Sequence, residues 1–335
     1  MNWQALLAEW SIAEPWSIRA MPGGINNLTQ IVETPSGSYV LRTYPSDRAP
    51  EHIRYELTVL SELRQQDLPF HVPAPLPTIS GELFAEVNGT SVTLTPLLSG
   101  SMPQNGDLEQ ASFAGRALAE LGKTLAAIHV RTTAQVAPFP PSGEFDGWAG
   151  IPIEPEPAIR QLPLSKRAQE HAFRFLEGSL AAAPALYRAL PQQIIHRDFD
   201  QSNILMQGNR VTAILDFEFC GYDLRVLDLV YALSQWPSGF WNTGREWGIM
   251  DSFAKGYLQR QTLTLAELEN LPRVLRLRAT TSLFFRLGRY TSGVDLQADL
   301  IERMEEIAVG EAWLRQNEEK LLRHARNWYH AAKRG

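Results

Sequence analysis

The chain of 335 residues contains a single cysteine, Cys220. No disulfide can close within it, and a reducing compartment is the natural expectation. Flanked by Phe219 and Gly221, Cys220 reads as small packing filler. No apolar run approaches the roughly 20 residues that span a bilayer. The first ten residues, Met1 to Trp10, lack the basic start and apolar core of a signal peptide. The expectation is therefore a cytoplasmic protein without membrane association. Basic charge is not in excess either: the net charge is −6 and the pI is near 5.7, so no nucleic-acid footprint is present. Neither G-x-S-x-G nor a Walker A loop occurs, which excludes the nucleophile elbow and the P-loop. The seven histidines are dispersed rather than grouped as a hydrolase's metal ligands would be. What is left is ordinary for a globular protein, 44% hydrophobic and 20% charged, in a chain long enough for two lobes with separate cores.

The chemistry that is there gathers in one stretch. Ile194-Ile195 leads into the polar loop His196-Arg197-Asp198-Phe199-Asp200-Gln201-Ser202-Asn203, and the apolar run Ile204 to Met206 leaves it. Gly208-Asn209 turns the chain back into Val211 to Leu215, after which comes Asp216-Phe217-Glu218. An H-x-D-x-x-x-x-N loop between two strands, with an Asp after the second, is what phosphoryl transfer needs. One Asp takes the attacking hydroxyl's proton, while an Asn and a second Asp hold Mg²⁺ on the nucleotide phosphates. Asp198 is the candidate base, and Asn203 and Asp216 offer hard oxygen ligands. Glu218, two residues past Asp216, faces the same side of an extended chain, within reach of the metal or its waters. His196 completes the catalytic candidates, bracing the loop by hydrogen bonds rather than moving protons. A lone Asp on a loop is ordinarily a turn or cap residue; the full spacing with apolar flanks raises these residues above that reading.

The rest of the chain can be placed around this loop. Trp3, Leu6, Leu7 and Trp10 share one face of a short helix over residues 1–10. Gly23-Gly24-Ile25-Asn26-Asn27 opens a strand-like run, Pro35 to Ser38 turns, and Tyr39 to Tyr44 returns. This is a hairpin with a glycine-rich approach, such as covers the nucleotide in kinases, although a plain hairpin turn explains a Gly-Gly pair equally well. After Pro50, Ile53, Leu57, Leu60 and Leu63 recur at helical steps. Glu56 is offset from that stripe and is either a solvated helix charge or the ion-pair partner of the strand cation Arg42. Arginine there keeps the positive charge of a kinase lysine but presents it as a planar fork. A second hairpin, Leu83 to Val87 and Ser91 to Thr95, closes at Asn88-Gly89 and runs into Pro96-Leu97-Leu98-Ser99-Gly100. The lobe boundary falls here, giving a nucleotide-binding lobe over 1–94, a hinge over 95–100 and a helical lobe with the catalytic loop and substrate pocket over 101–335. Backbone groups of Pro96, Leu97 and Leu98 would then meet the adenine ring.

Phe113, Leu118, Leu121, Leu125 and Ile128 form a helix face ending at His129, which reads as structural. Residues 137–163 are proline-rich and exclude a regular core element, leaving a surface connection or a substrate flap. Helices follow over about 166–181, from Tyr222 through Leu233, and over about 246–259, 264–291 and 297–332. A strand-rich first part and a helix-rich second part make the chain α+β with two lobes.

His196 to Leu205 and Leu215 to Glu218 resemble the catalytic and metal loops of the aminoglycoside phosphotransferase and choline kinase superfamily. The likeness extends to Gly23-Gly24-Ile25-Asn26-Asn27, Tyr39 to Arg42, Glu56 and Leu118 to His129, which is most of the chain. The resemblance implies a bilobal protein-kinase-like fold, its N-terminal lobe an antiparallel sheet with one main helix. It implies transfer of the γ-phosphate of ATP, with Mg²⁺, to a hydroxyl of a small molecule: an amino alcohol such as homoserine, an aminoglycoside, choline or a sugar. Carried over, Asp198 is the base, Asn203 and Asp216 bind Mg²⁺, Gly23, Gly24 and Asn26 cover the nucleotide, and Arg42 with Glu56 forms the phosphate-clamping ion pair. Gly24 to Asn27, Val72 to Pro77 with Asn88-Gly89, Tyr222-Asp223 with Asp228 and Trp236, and Leu263 to Leu268 are most similar to the type II homoserine kinase branch. A protein Ser/Thr kinase is the alternative of the same fold, but its long activation segment and A-P-E are missing after Asp216. A non-catalytic nucleotide-binding relative is a third reading, against which His196, Asp198, Asn203 and Asp216 are all present.

Overall fold

The computed structural model describes residues 3–20, 28–45, 48–128, 137–151 and 153–334. They form two compact units: Met1–Pro103, Ala127–Pro138 and Ser202–Glu218 make the first, and Gln104–Ala126, Phe139–Gln201 and Phe219–Gly335 the second. The hairpin that follows the His196–Asn203 loop thus belongs with the N-terminal sheet, a long-range grouping that no local pattern reveals.

The first unit begins with α1 (Trp3–Leu7) and β1 (Ser17–Ala20). β2 (Leu28–Thr34) and β3 (Gly37–Thr43) form the expected hairpin, and α2 (Pro50–Arg64) follows. β4 (Ala85–Val87) and β5 (Thr90–Pro96) complete an antiparallel sheet in the order β1-β2-β3-β5-β4. Strand alternation turns Val32, Leu41, Val92 and Leu94 to one face, where they pack with Leu6, Leu7 and Trp10. α1 stops earlier than expected because the Trp10 N–H turns back to the Leu7 carbonyl and its indole N–H donates to Leu76 O at 3.0 Å. Pro50 suits the first turn of α2, where no N–H is required. Its stripe Ile53, Leu57, Leu60 and Leu63 is buried, and so, fully, is Glu56, which excludes the solvated-charge reading.

Further along, α3 (Leu108–Ala127) starts at Asp107, whose carboxylate accepts the N–H groups of Glu109 and Gln110. The proline-rich segment holds α4 (Phe145–Ala149) and α5 (Pro155–Arg160), short helices that the expectation of irregular structure missed. Pro155 sits at the start of α5, where proline is tolerated. Phe139 stacks on Trp148 at 4.8 Å and meets Phe285 edge-on at 5.8 Å, so this part of the segment is packed core rather than a surface flap. α6 (Lys166–Ala189) and β6 (Gln192–Ile195) lead to the loop that starts at His196.

β7 (Ile204–Gln207) and β8 (Arg210–Ile214) form the next hairpin, in the first unit. Back in the second unit, β9 (Gly221–Leu224) pairs antiparallel with β6. The expected helix from Tyr222 therefore begins only with α7 (Val226–Gln235). The strand was hidden because one of its inward residues is the fully buried Asp223, while Tyr222 faces out. α8 (Arg245–Leu258), α9 (Leu265–Glu269), α10 (Leu271–Thr291) and α11 (Gln297–Arg334) complete the chain. α9 carries a capping box of Thr264 and Glu267, and α10 restarts after Asn270 with a proline in its first turn. Among the described residues no helix is long and apolar enough to cross a membrane.

Candidate active site

Pairing of β6 with β9 ends at Ile195 opposite Gly221, and the candidate catalytic loop springs from there. Asp228, one of the few polar groups buried on α7, accepts the backbone N–H groups of His196 at 3.0 Å and Arg197 at 2.7 Å. Burial pushes its carboxyl up to about 6, partly opposed by those two hydrogen bonds. Arg197 adopts φ of 67°, a left-handed conformation that costs about 1–2 kcal/mol outside glycine. Its side chain fixes that conformation: Nη1 donates to Phe139 O at 3.1 Å, Nη2 donates to Tyr222 O at 2.6 Å, and Nε lies 3.1 Å from Asp223 Oδ2. The guanidinium also lies 5.5 Å over the Trp148 ring. Asp223 in turn accepts the N–H and hydroxyl of Ser142, both at 2.8 Å. His196 is fully buried, and its Nδ1 accepts the Asp198 N–H at 3.2 Å, which leaves the ring proton on Nε2. It is therefore a brace. The residues around Asp198 are held on all sides, and Asp198 itself remains half-buried.

In the first unit, the β7–β8 hairpin brings its two ends together. Ile204 pairs with Ile214, and the Leu215 N–H donates to Asn203 O at 2.8 Å, so Asn203 and Asp216 emerge side by side. Ser101 exchanges backbone hydrogen bonds with Met206 at 2.8 and 3.0 Å, and His71 bonds to Thr212 and Ile214, fastening both edges of the hairpin. Gly100 permits the close approach: at its φ of +145° an added Cβ would stand 2.8 Å from Leu205 Cβ and 2.6 Å from Thr212 Oγ1. Asp216 takes φ of 57°, a region Asp tolerates better than most residues. Its Oδ1 is buried with no hydrogen-bond partner among the described residues, while the side chain as a whole is 38% exposed. Burial pushes this carboxyl up to about 6, against Arg42 and with help from Glu218 and Glu56.

A carboxylate oxygen lacking a donor, beside an Asn, fits Mg²⁺. That ion takes one or two protein oxygens and completes its shell with water and substrate phosphates. Among the described residues no cluster of three or more His, Cys, Asp or Glu that could hold a metal ion is present.

Around Asp216 lies an ion network. Arg42 Nη1 donates to Glu56 Oε1 at 2.8 Å, and Nη2 donates to Glu218 Oε2 at 3.2 Å and lies 3.7 Å from Asp216 Oδ1. Burial disfavours the Arg42 charge, yet Glu56 and the other carboxylates hold its pKa above the ordinary arginine value. Arg48 adds bonds to Glu218 Oε2 at 3.1 Å, Glu218 O at 3.2 Å and Glu56 Oε2 at 3.5 Å. Glu218, expected beside the metal, is instead engaged by two guanidiniums and only 3% exposed. Arg48 was not anticipated, since it lies in a loop with no periodic pattern.

At the end of β5, Pro96 has no N–H, and Leu97 gives its own to Ser38 O at 2.9 Å. Gly23, Gly24 and Asn26, and with them His129, lie outside the described residues.

The family model of the phosphotransferase enzyme family matches residues 17–278. The homoserine kinase of Rhodopseudomonas palustris strain BisB18 is 25% identical over 301 residues, covering 89% of this chain and 86% of that protein. Among solved structures, an amicoumacin kinase in complex with AMP-PNP, Ca²⁺ and Ami superposes with a TM-score of 0.65 at 16% identity, covering 91% of each chain. A microcompartment-associated aminopropanol kinase gives 0.59 at 21% identity over 99% of this chain and 95% of that one. The fold is that of the protein-kinase-like phosphotransferases, with the mixed α and β composition read from the sequence. The chain belongs to the phosphotransferase enzyme family and is a small-molecule kinase.

Proposed function

We propose that the enzyme transfers the γ-phosphate of ATP to the hydroxyl of a small amino alcohol, with Mg²⁺, in the cytoplasm where ATP is available. The observation that carries this reading is the mouth of the β7–β8 hairpin, where Asn203 and Asp216 emerge together and the buried Asp216 Oδ1 accepts no hydrogen bond among the described residues. When bound, Mg²⁺ neutralises charge on the phosphates and fixes their orientation. Asn203 and Asp216 would hold it, and Arg42, fixed by Glu56, would supply positive charge to the phosphates. Asp198 orients the acceptor and takes its proton as the acceptor oxygen bonds to the γ-phosphorus. The bond from that phosphorus to the bridging oxygen breaks, and ADP leaves. At the linker, the Leu98 amide is the backbone donor left for adenine once Pro96 and Leu97 are accounted for. The names of the similar proteins, homoserine kinase and aminopropanol kinase, support an acceptor with both an amino and a hydroxyl group.

Calorimetric titration of ATP with and without Mg²⁺ tests the metal assignment. Wild type should bind ATP at least tenfold more tightly with Mg²⁺, and Asp216→Ala should lose that gain. An equal gain in the variant would refute the role of Asp216.

A further inference from the structure

Two arginines and two glutamates of the first unit close into a ring. Arg42 on β3 donates to Glu56 Oε1 of α2 through Nη1 and to Glu218 Oε2 through Nη2. Arg48 completes the ring from the other side, where Nη2 reaches Glu56 Oε2 at 3.5 Å and Nη1 donates to Glu218 Oε2 at 3.1 Å. The buried ring of Tyr44 lies beneath both guanidiniums, 5.0 Å from that of Arg42 and 5.7 Å from that of Arg48. Two positive and two negative charges balance, as buried ionic groups require. Asp216 stands outside the ring, its Oδ1 3.7 Å from Arg42 Nη2.

Arg48 makes one further bond. Its Nη2 donates to the backbone carbonyl of Glu218 at 3.2 Å, so a single guanidinium grips both the side chain and the main chain two residues after Asp216. Arg48 is itself anchored: its N–H donates to Pro45 O at 3.1 Å, and the carbonyl of the next residue, Ala49, accepts the Ile53 N–H at the start of α2. At the other end of the same stretch, the Leu215 N–H is fixed on Asn203 O. Asp216 thus takes its φ of 57° between two points of attachment, and a left-handed residue other than glycine persists only where its surroundings determine it.

We infer that Arg48 is a positioning residue for the metal: by holding Glu218 at both carboxylate and carbonyl, it fixes Asp216 where, beside Asn203, its carboxylate can take the ion. The inference rests on the metal reading of Asp216 above. Groups that orient a ligand without touching the ion are commonly worth about 10–100-fold in metal affinity. Charge alone makes the opposite demand, since removing a cation from beside an acidic site tightens the binding of a divalent ion. The sign of the effect therefore separates positioning from simple electrostatics. A lysine keeps the charge and one bond to Glu218, but lacks the fork that meets carboxylate and carbonyl together.

Calorimetry of ATP binding with and without Mg²⁺ decides the matter, with thermal melts showing each variant folded. Arg48→Met should bind ATP alone as wild type does, while the gain in affinity that Mg²⁺ brings should fall by about tenfold. Arg48→Lys should lose about threefold of that gain, and it carries the test if Arg48→Met does not fold. A gain equal to that of wild type in a folded variant, a larger gain, or an affinity for ATP alone that falls as far as the affinity with Mg²⁺ would overturn the assignment. A wild type without any Mg²⁺ gain would overturn the reading of Asp216 itself, and this inference with it.

Discussion

Arg42 shows what a single residue type decides in this site. Its fork spans Glu56 and Glu218 at once, whereas one lysine ammonium is a point charge on a longer tether. Arg42→Lys should therefore keep the charge near the phosphates yet lose roughly 1.5–3 kcal/mol of stability with a charged hydrogen bond. Urea denaturation would show the loss, together with weaker ATP binding. Asp228 illustrates the opposite problem, a carboxylate raised to about 6 by burial. A raised native pKa means that the folded state binds more protons than the unfolded chain between pH 4 and 6. Stability then declines as pH rises through that window, by about 3 kcal/mol for a shift near two units. Denaturation of wild type and Asp228→Asn across pH 4–6 should show the wild type losing that much relative to the variant. Asp198, Asn203 and Asp216 were legible because their spacing is dictated by chemistry. Arg48 was not, because a loop arginine has no pattern until its carboxylates are placed in space.

At the scale of elements, α4 and α10 approach so closely that a Cβ on Gly288 would lie 2.0 Å from Ala149 O. Neither backbone can yield cheaply, so Gly288→Ala should cost about 1–3 kcal/mol. Because α4 carries Trp148, on which Arg197 rests, turnover should fall as well. Gly178, inside α6 with open space around it, is the control: Gly178→Ala should stabilise by about 0.5–1 kcal/mol. Thermal melts of the two variants should move in opposite directions. The long helices were legible from apolar stripes, as with Ile53 to Leu63. β9 and the packed proline-rich segment were not, since their buried residues include Asp223 and Ser142, whose burial depends on distant partners.

For the whole molecule, the order of strand-rich and helix-rich parts made the fold class readable. The return of Ser202–Glu218 to the first unit was not, because its pairing with His71 and Ser101 spans a hundred residues or more. The family match ends at residue 278, within α10. The central claim is that Asp198 takes the proton of an attacking hydroxyl. Its most direct test is acceptor-dependent ADP release by wild type and Asp198→Asn, with ATP affinity measured in both. A fall in kcat of about 10²–10⁴ at unchanged ATP affinity is the result expected; turnover near wild type in Asp198→Asn would contradict it.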